Sequence, residues 1–235
     1  MQTSDPHSND VGKRTAASRA AALIESNRIV GLGSGTTAAF FVEALGQRCK
    51  EGVSIRAVAS SPKTEHLAIE HGVPLIPFEE VDFIDITCDG ADAVDPAGRL
   101  IKGGGGALLR EKILVGASKM VVIMVDASKC VAELLRSELL LPVDIAPFGW
   151  RQTLRALSAL GLAPTVRMDA CSRQFVTADG HWVVDLDTRD CALSPEELDA
   201  ALKKIPGVME TGLFIGFTDL LLIGGERGEV SLRDY

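Results

Sequence analysis

The chain carries no C-x-x-C pair, no histidine cluster, no excess of basic charge and no long apolar run. Each absence removes a class of function. The five cysteines, Cys49, Cys88, Cys130, Cys171 and Cys191, are odd in number and widely spaced. That pattern argues against a disulfide framework or a zinc site and for a reduced, cytoplasmic setting. The four histidines, His7, His66, His71 and His181, stand apart, so a Ser-His-Asp or Cys-His mechanism has no support. Lysine and arginine total 24 against 32 acidic residues, a net charge of -8. A nucleic-acid-binding surface needs the opposite balance, whereas one local site for a small anion does not. No apolar stretch is long enough to cross a bilayer, and the polar start MQTSDPHSND lacks the apolar core of a signal peptide. The first ten residues are expected to fray. What remains is 235 residues with 46% hydrophobic and 24% charged side chains, the balance of a globular protein with one large domain or two unequal ones.

The first half alternates short Val/Ile-rich runs with helical periodicity. RIVGLG (28–33), VSIRAVA (53–59), VPLIPF (73–78), FIDITC (83–88) and KMVVIMVD (119–126) read as strands. Near-continuous apolar runs of this kind belong to a parallel sheet covered on both faces. Residues 36–49 read as a helix with Phe40, Phe41, Ala44 and Leu45 in the core, and Ser61-Pro62 opens another helix. From about residue 140 the order becomes β-α-β-β-α-β. Its elements are LPVDIAP, a helix ended by Gly161, PTVRM, a hairpin turning at Asp179-Gly180, a helix capped by Ser194 and Glu197, and VMETGLF. DLLLIGG (219–225) reads as a strand returning to the first sheet. The expected fold is α/β: a doubly wound, Rossmann-like domain over 1–138 and 214–235, with a small ferredoxin-like α+β domain inserted at 139–213.

In such a sheet, ligands bind beyond the carboxyl ends of the strands. Four polar clusters fall there. GSGTT (33–37) fits neither the P-loop nor the dinucleotide fingerprint, because no lysine follows the last glycine and position 36 is Thr. Two readings stand: a phosphate site made of helix-start amides and the hydroxyls of Ser34, Thr36 and Thr37, or an ordinary tight turn with an N-cap threonine. DGAD (89–92) sets Asp89 and Asp92 three apart, either as an acid pair facing one cleft or as an Asx turn with a cap. The absence of a nearby histidine argues against metal there. KGGGG with Glu111 (102–111) bares backbone amides beside a cation and leads into an apolar helix, which argues against a flexible linker. In DASK (126–129), Lys129 is either a donor to phosphate or a solvated lysine, and Lys13 carries the same two readings, the solvated one preferred. Coulomb repulsion from Glu111, Asp89 and Asp92 points any phosphate to the SGTT turn, which carries no acid of its own.

Together, GLGSGTT, ASSPKTE, DGADAVDP, KGGGGALLREK, DASK and IPGVMETGLF, in this order from about Lys13 to about Gly225, resemble ribose-5-phosphate isomerase of type A. The resemblance implies an aldose–ketose isomerase of the pentose phosphate pathway acting on a pentose 5-phosphate without metal or organic cofactor. It implies Glu111 as the base that moves a proton between C2 and C1, with Asp89, Asp92 and Lys102 handling ring opening and proton traffic between the oxygens. It implies substrate contacts from Ser34, Gly35, Thr36, Thr37, Gly90, Ala91, Gly103, Gly104, Gly105 and Lys129. It also implies a homodimer or homotetramer with the small domain in the interface. The hairpin TADGH, Gln174 and the PFGW segment (147–150) depart from the family pattern, all in the small domain. Two rivals are a non-catalytic sugar-phosphate sensor, which would not need the four charged residues together, and an acyl or coenzyme A transferase with Glu111 as nucleophile.

Overall fold

Short strands buried on both faces and helices with one apolar side form the larger of two compact units. The computed structural model of the chain describes residues 6–235, with side-chain surroundings from Asp10 onward. Of the ten residues expected to fray, 1–5 lie outside the described residues, and from Pro6 the chain is helical. The larger unit comprises residues up to Ala91, Arg110–Cys130 and Phe217–Tyr235. Its elements are α1 (Pro6–Ala22), β1 (Ile29–Leu32), α2 (Gly35–Lys50), β2 (Arg56–Ala59), α3 (Pro62–His71) and β3 (Ile86–Asp89). After the excursion that carries β4 (Ala93–Val94) and β5 (Leu100–Ile101), the chain adds α4 (Leu108–Gly116), which begins on the smaller unit, and β6 (Val121–Asp126).

The six-stranded sheet ends with β12 (Leu220–Gly224) and β13 (Val230–Asp234), in the order β13-β12-β6-β3-β1-β2. All neighbours are parallel except β13, an antiparallel edge strand. β1 therefore lies between β2 and β3, where the winding changes direction and a ligand crevice is expected. The core joins Val30, Leu32, Phe41, Leu45, Val122, Met124 and Leu222 with Ala16, Ala17 and Ala20 of α1. Phe41 and Leu45 are fully buried, as expected, while Phe40 and Ala44 pack at the edge of the cluster. Ser61 caps α3 by accepting from the Thr64 amide at 3.1 Å. The expected strand VPLIPF is reduced to one bridge, Ala57 with Leu75, followed by a 3-10 turn at Phe78–Glu80. Pro74 and Pro77 remove two amide donors from that run.

The smaller unit comprises Asp92–Leu109 and Val131–Gly216. It contains β7 (Leu141–Ile145), α5 (Trp150–Ala159), β8 (Ala163–Val166), β9 (Trp182–Asp187), α6 (Pro195–Leu202), β10 (Val208–Thr211) and β11 (Leu213–Phe214). The four-stranded antiparallel sheet runs β10-β7-β9-β8, the strand order of a split βαβ fold. Ser194 and Glu197 form the capping box of α6. The segment before the hairpin turn forms only the isolated bridges Met168–Gln174 and Val176–Trp182 rather than a full strand. The units differ from the expected division at 138/139 and 213/214. Residues 92–109 belong with the smaller unit because β11 pairs antiparallel with β5, and β5 with β4. Leu134 and Leu135 join it because they pack in the cluster of Leu141, Val143 and Leu186.

Candidate active site

On the larger unit, the ends of β1 and β3 meet at the point where the winding reverses. Asp89 closes β3 and is 1% exposed. Its Oδ1 accepts the amides of Gly90 at 2.7 Å and of Ser34 at 3.0 Å. Gly33 makes this possible: a Cβ there would lie 2.0 Å from the Asp89 carboxyl carbon. Ser34 is extended, with φ -127° and ψ 173°, and stands at the N-cap of α2 without capping it. Its hydroxyl instead donates to Oε1 of Glu111, which is 4% exposed in the first turn of α4. The first amides of α2, from Gly35 to Thr37, are thus left without a capping side chain. Gly35 and Thr36 are exposed, and Thr37 is buried beside Gly90. The turn expected to be clear of acids is therefore tied to two of them through Ser34. This happens because the peptide after Gly33 directs its amide at Asp89, and the extended serine reaches Glu111.

Lys129 ends a 3-10 turn, Ala127–Lys129, whose Ser128 amide is capped by Asp126 Oδ1 at 3.0 Å. The lysine is half-buried. Lys13 pairs with Asp10 at 3.3 Å. Cys88, adjacent to Asp89, is fully buried, and desolvation followed by the Asp89 charge pushes its thiol far up, which disqualifies it as a nucleophile.

On the smaller unit, Asp92 Oδ2 accepts the Gly104 amide at 2.8 Å. Ala91, the residue before it, is half-buried. Lys102 is 3% exposed, and its ammonium lies 5.5 Å from the centroid of the Phe214 ring. Its amide donates to Gly212 O at 2.9 Å, which holds the start of the glycine loop to the chain after β10. Gly104 and Gly105 are exposed, while Gly103 and Gly106 are buried. Three residues that the sequence reading did not single out support this loop, two in contact with it and one through Arg167. Arg167 donates to the carbonyls of Gly103 and Gly104, Asp185 pairs with Arg167, and the Phe175 ring occupies the space of a Gly106 side chain. Each comes from β8, β9 or the segment between them, far from the loop in sequence, so no local signal marks them.

The same unit holds His181 Nδ1 at 2.9 Å from Asp144 Oδ1, close enough for an ion pair though short of a well-formed hydrogen bond. Burial pushes the Asp144 carboxyl up to about 6, and His181 opposes that rise.

A family model, ribose 5-phosphate isomerase A (phosphoriboisomerase A), matches residues 56–228. The chain is 45% identical over 222 residues to ribose-5-phosphate isomerase A of Sphingopyxis alaskensis, covering 94% of this chain and 96% of that one. The chain belongs to the ribose-5-phosphate isomerase A family. The isomerase A of Bacillus mycoides is 41% identical, with 95% and 98% covered. Two solved isomerase structures superpose closely. That of ribose 5-phosphate isomerase A from Methanocaldococcus jannaschii gives a TM-score of 0.89 at 33% identity, covering 95% of this chain and 98% of that one. A D-ribose-5-phosphate isomerase in complex with phospho-erythronic acid gives 0.90 at 33% identity, covering 95% and 97%. As in these isomerases, the fold is a parallel α/β sheet accompanied by separate antiparallel sheets. Among the described residues no helix is long and apolar enough to cross a membrane, and no group of three or more His, Cys, Asp or Glu is gathered as metal ligands would be.

Proposed function

We propose that the chain interconverts D-ribose 5-phosphate and D-ribulose 5-phosphate through an enediolate, as an isomerase of the non-oxidative pentose phosphate pathway. The observation that carries this reading is the double engagement of Ser34. One residue holds Asp89 by its amide and Glu111 by its hydroxyl, and the same residue opens an uncapped helix start. Acid–base groups and an anion-binding helix end are thereby joined in a few ångströms of chain. Phospho-erythronic acid, the ligand of the related isomerase structure, is a phosphate ester of a sugar acid, the class of compound this arrangement suits.

In this reading the free amides from Gly35 to Thr37 and the hydroxyls of Thr36 and Thr37 take the phosphate, with Lys129 adding charge. Ser34 shares that task with its hold on the two acids. Glu111, held through Oε1 by the Ser34 hydroxyl, transfers the proton between C2 and C1. Lys102 and the amides of Gly103 and Gly105 stabilise the oxygen that gains charge in the enediolate, while the Gly104 amide holds Asp92. Asp89 and Asp92, with Gly90 and Ala91 between them, serve ring opening and proton exchange at O1 and O2. Phosphate binding contributes energy remote from the reacting carbons. A homodimer or homotetramer in the cytoplasm belongs to the same reading through the family resemblance.

The decisive test is Glu111→Gln, which keeps the shape and removes the base. Turnover of ribose 5-phosphate, followed by a coupled assay for ribulose 5-phosphate, is expected to fall by roughly 10²–10⁴-fold. Calorimetric binding of the substrate is expected to persist. Full activity in the variant removes Glu111 from the mechanism.

A further inference from the structure

The glycine loop has no side chains with which to hold its own shape, yet its usefulness depends on which way its peptide planes face. Arg167, on the chain just after β8, holds that orientation from outside, beside the loop's own turn bond from the Gly106 amide to Gly103 O at 2.9 Å. Its Nη1 donates to Gly103 O at 2.8 Å and to Gly104 O at 3.0 Å. In a trans peptide the carbonyl and the following N–H point in opposite directions. Drawing the Gly103 carbonyl toward Arg167 therefore turns the Gly104 amide away from it, and that amide meets Asp92 Oδ2 at 2.8 Å. Drawing in the Gly104 carbonyl turns the Gly105 amide away from Arg167 in the same manner, at an exposed glycine.

The guanidinium is itself fixed. Nε donates to Asp185 Oδ2 at 2.9 Å, and Nη2 donates to Oδ1 of the same carboxylate, a two-pronged pairing. The side chains of Arg167 and Asp185 are only 15% and 16% exposed. The Phe175 ring lies 5.9 Å from the guanidinium carbon and fills the space beside Gly106, so the end of the loop is blocked as well. Lysine cannot replace this arrangement, because one ammonium lacks the planar fork that serves a carboxylate and two carbonyls together.

We propose that Arg167, anchored by Asp185, is a positioning residue for the isomerisation. It orients the 103–104 and 104–105 peptides so that one amide holds Asp92 and the next is presented to the oxygen that becomes negative. This rests on the isomerase reading above.

The test compares wild type with Arg167→Ala, Arg167→Lys and Asp185→Asn. Steady-state kinetics are read beside the backbone amide resonances of Gly104 and Gly105. Arg167→Ala is expected to lower kcat by about 10²-fold, the scale of an ångström-level misplacement, with a smaller change in KM. The Gly104 and Gly105 resonances should shift. Millimolar guanidinium should restore part of kcat in Arg167→Ala, methylammonium should not, and Arg167→Lys should stay low. If Arg167→Ala does not fold, Asp185→Asn, which frees the guanidinium without opening a cavity, carries the same readouts. Unchanged kcat together with unmoved glycine amides overturns the proposal. So does a loss of kcat that tracks lost thermal stability and resists guanidinium. A wild-type chain inactive on ribose 5-phosphate defeats the isomerase reading instead, and the amide shifts then still decide whether Arg167 orients the loop.

Discussion

Gly33 at the end of β1 and the glycines of the 103–106 loop both lack side chains, but for opposite reasons. On the larger unit, backbone holds side chain: the amides of Ser34 and Gly90 grip Asp89, and Gly33 is bare so that the carboxyl can sit against it. On the smaller unit, side chain holds backbone: Arg167 grips two glycine carbonyls, Asp92 grips a glycine amide, and Phe175 stands where Gly106 has no Cβ. The first arrangement makes an acid rigid. The second makes a flexible stretch rigid from outside, with the Gly104 amide on Asp92 and the Gly105 amide at an exposed position. A run of glycines therefore says that close approach occurs without saying whether side chain or ligand does the approaching.

The contrast breaks most visibly at Gly33. Gly33→Ala puts a methyl group into the Asp89 carboxyl, and overpacking of this kind costs about 1–3 kcal/mol or more. Activity should be lost almost completely, and thermal melting should fall; a variant with normal turnover would show that the Asp89 position is not needed.

Gly106→Ala comes next. Its φ of +75° disfavours any Cβ, and the Phe175 ring would lie 2.3 Å from it. The expected destabilisation is about 1–3 kcal/mol, and a denaturation midpoint equal to that of the wild type would remove Phe175 as the end-stop of the loop.

A difference in pH response should also separate the units. Asp144 is held by a titratable partner rather than by amides, and its folded value of about 6 lies above the roughly 3.9 of an unfolded aspartate. Between those values the folded chain holds a proton that the unfolded chain has released. This carboxyl therefore contributes stability at low pH that is lost as pH rises from about 4 to about 6. Asp144→Asn should flatten that part of the stability profile in urea titrations, and an identical profile would count against the shift. Neighbouring Asp179 and Glu210 push the same way as burial, and His181 pushes against it.

The smallest effect is expected at Gly105, where a Cβ would meet no atom within 4 Å. Gly105→Ala should change stability by no more than about 0.5 kcal/mol while still lowering turnover, if the Gly105 amide serves the substrate as proposed. Unaltered activity there would mean that nothing comes close to that backbone.

The parts of this molecule that were legible in the sequence are those whose causes are local. Short apolar runs marked β1, β3 and β6, and the caps at Ser61 and Ser194 rest on contacts three residues long. Helix α1 was hidden because its buried face is alanine, which carries little apolar contrast. VPLIPF looked like a strand by composition, but its prolines cannot sustain a ladder. The membership of 92–109 in the smaller unit was illegible because the strand that recruits it, β11, lies at the far end of the chain. Glycine turns and flanking charges revealed Ser34, Asp89, Asp92, Lys102 and Glu111 as candidates. They did not reveal that Ser34 is engaged by both Asp89 and Glu111, nor that Arg167 stands behind the glycine loop, since both depend on partners 55 or more residues apart.

Ser34 works as a shared tether. A ligand that pulls its hydroxyl toward an incoming phosphate would loosen Glu111 at the moment the substrate arrives, while the main-chain grip on Asp89 stays in place. In the proposed isomerase, occupancy of the α2 start would then be felt by Glu111 through a single rotating C–O bond, with no movement of the surrounding fold.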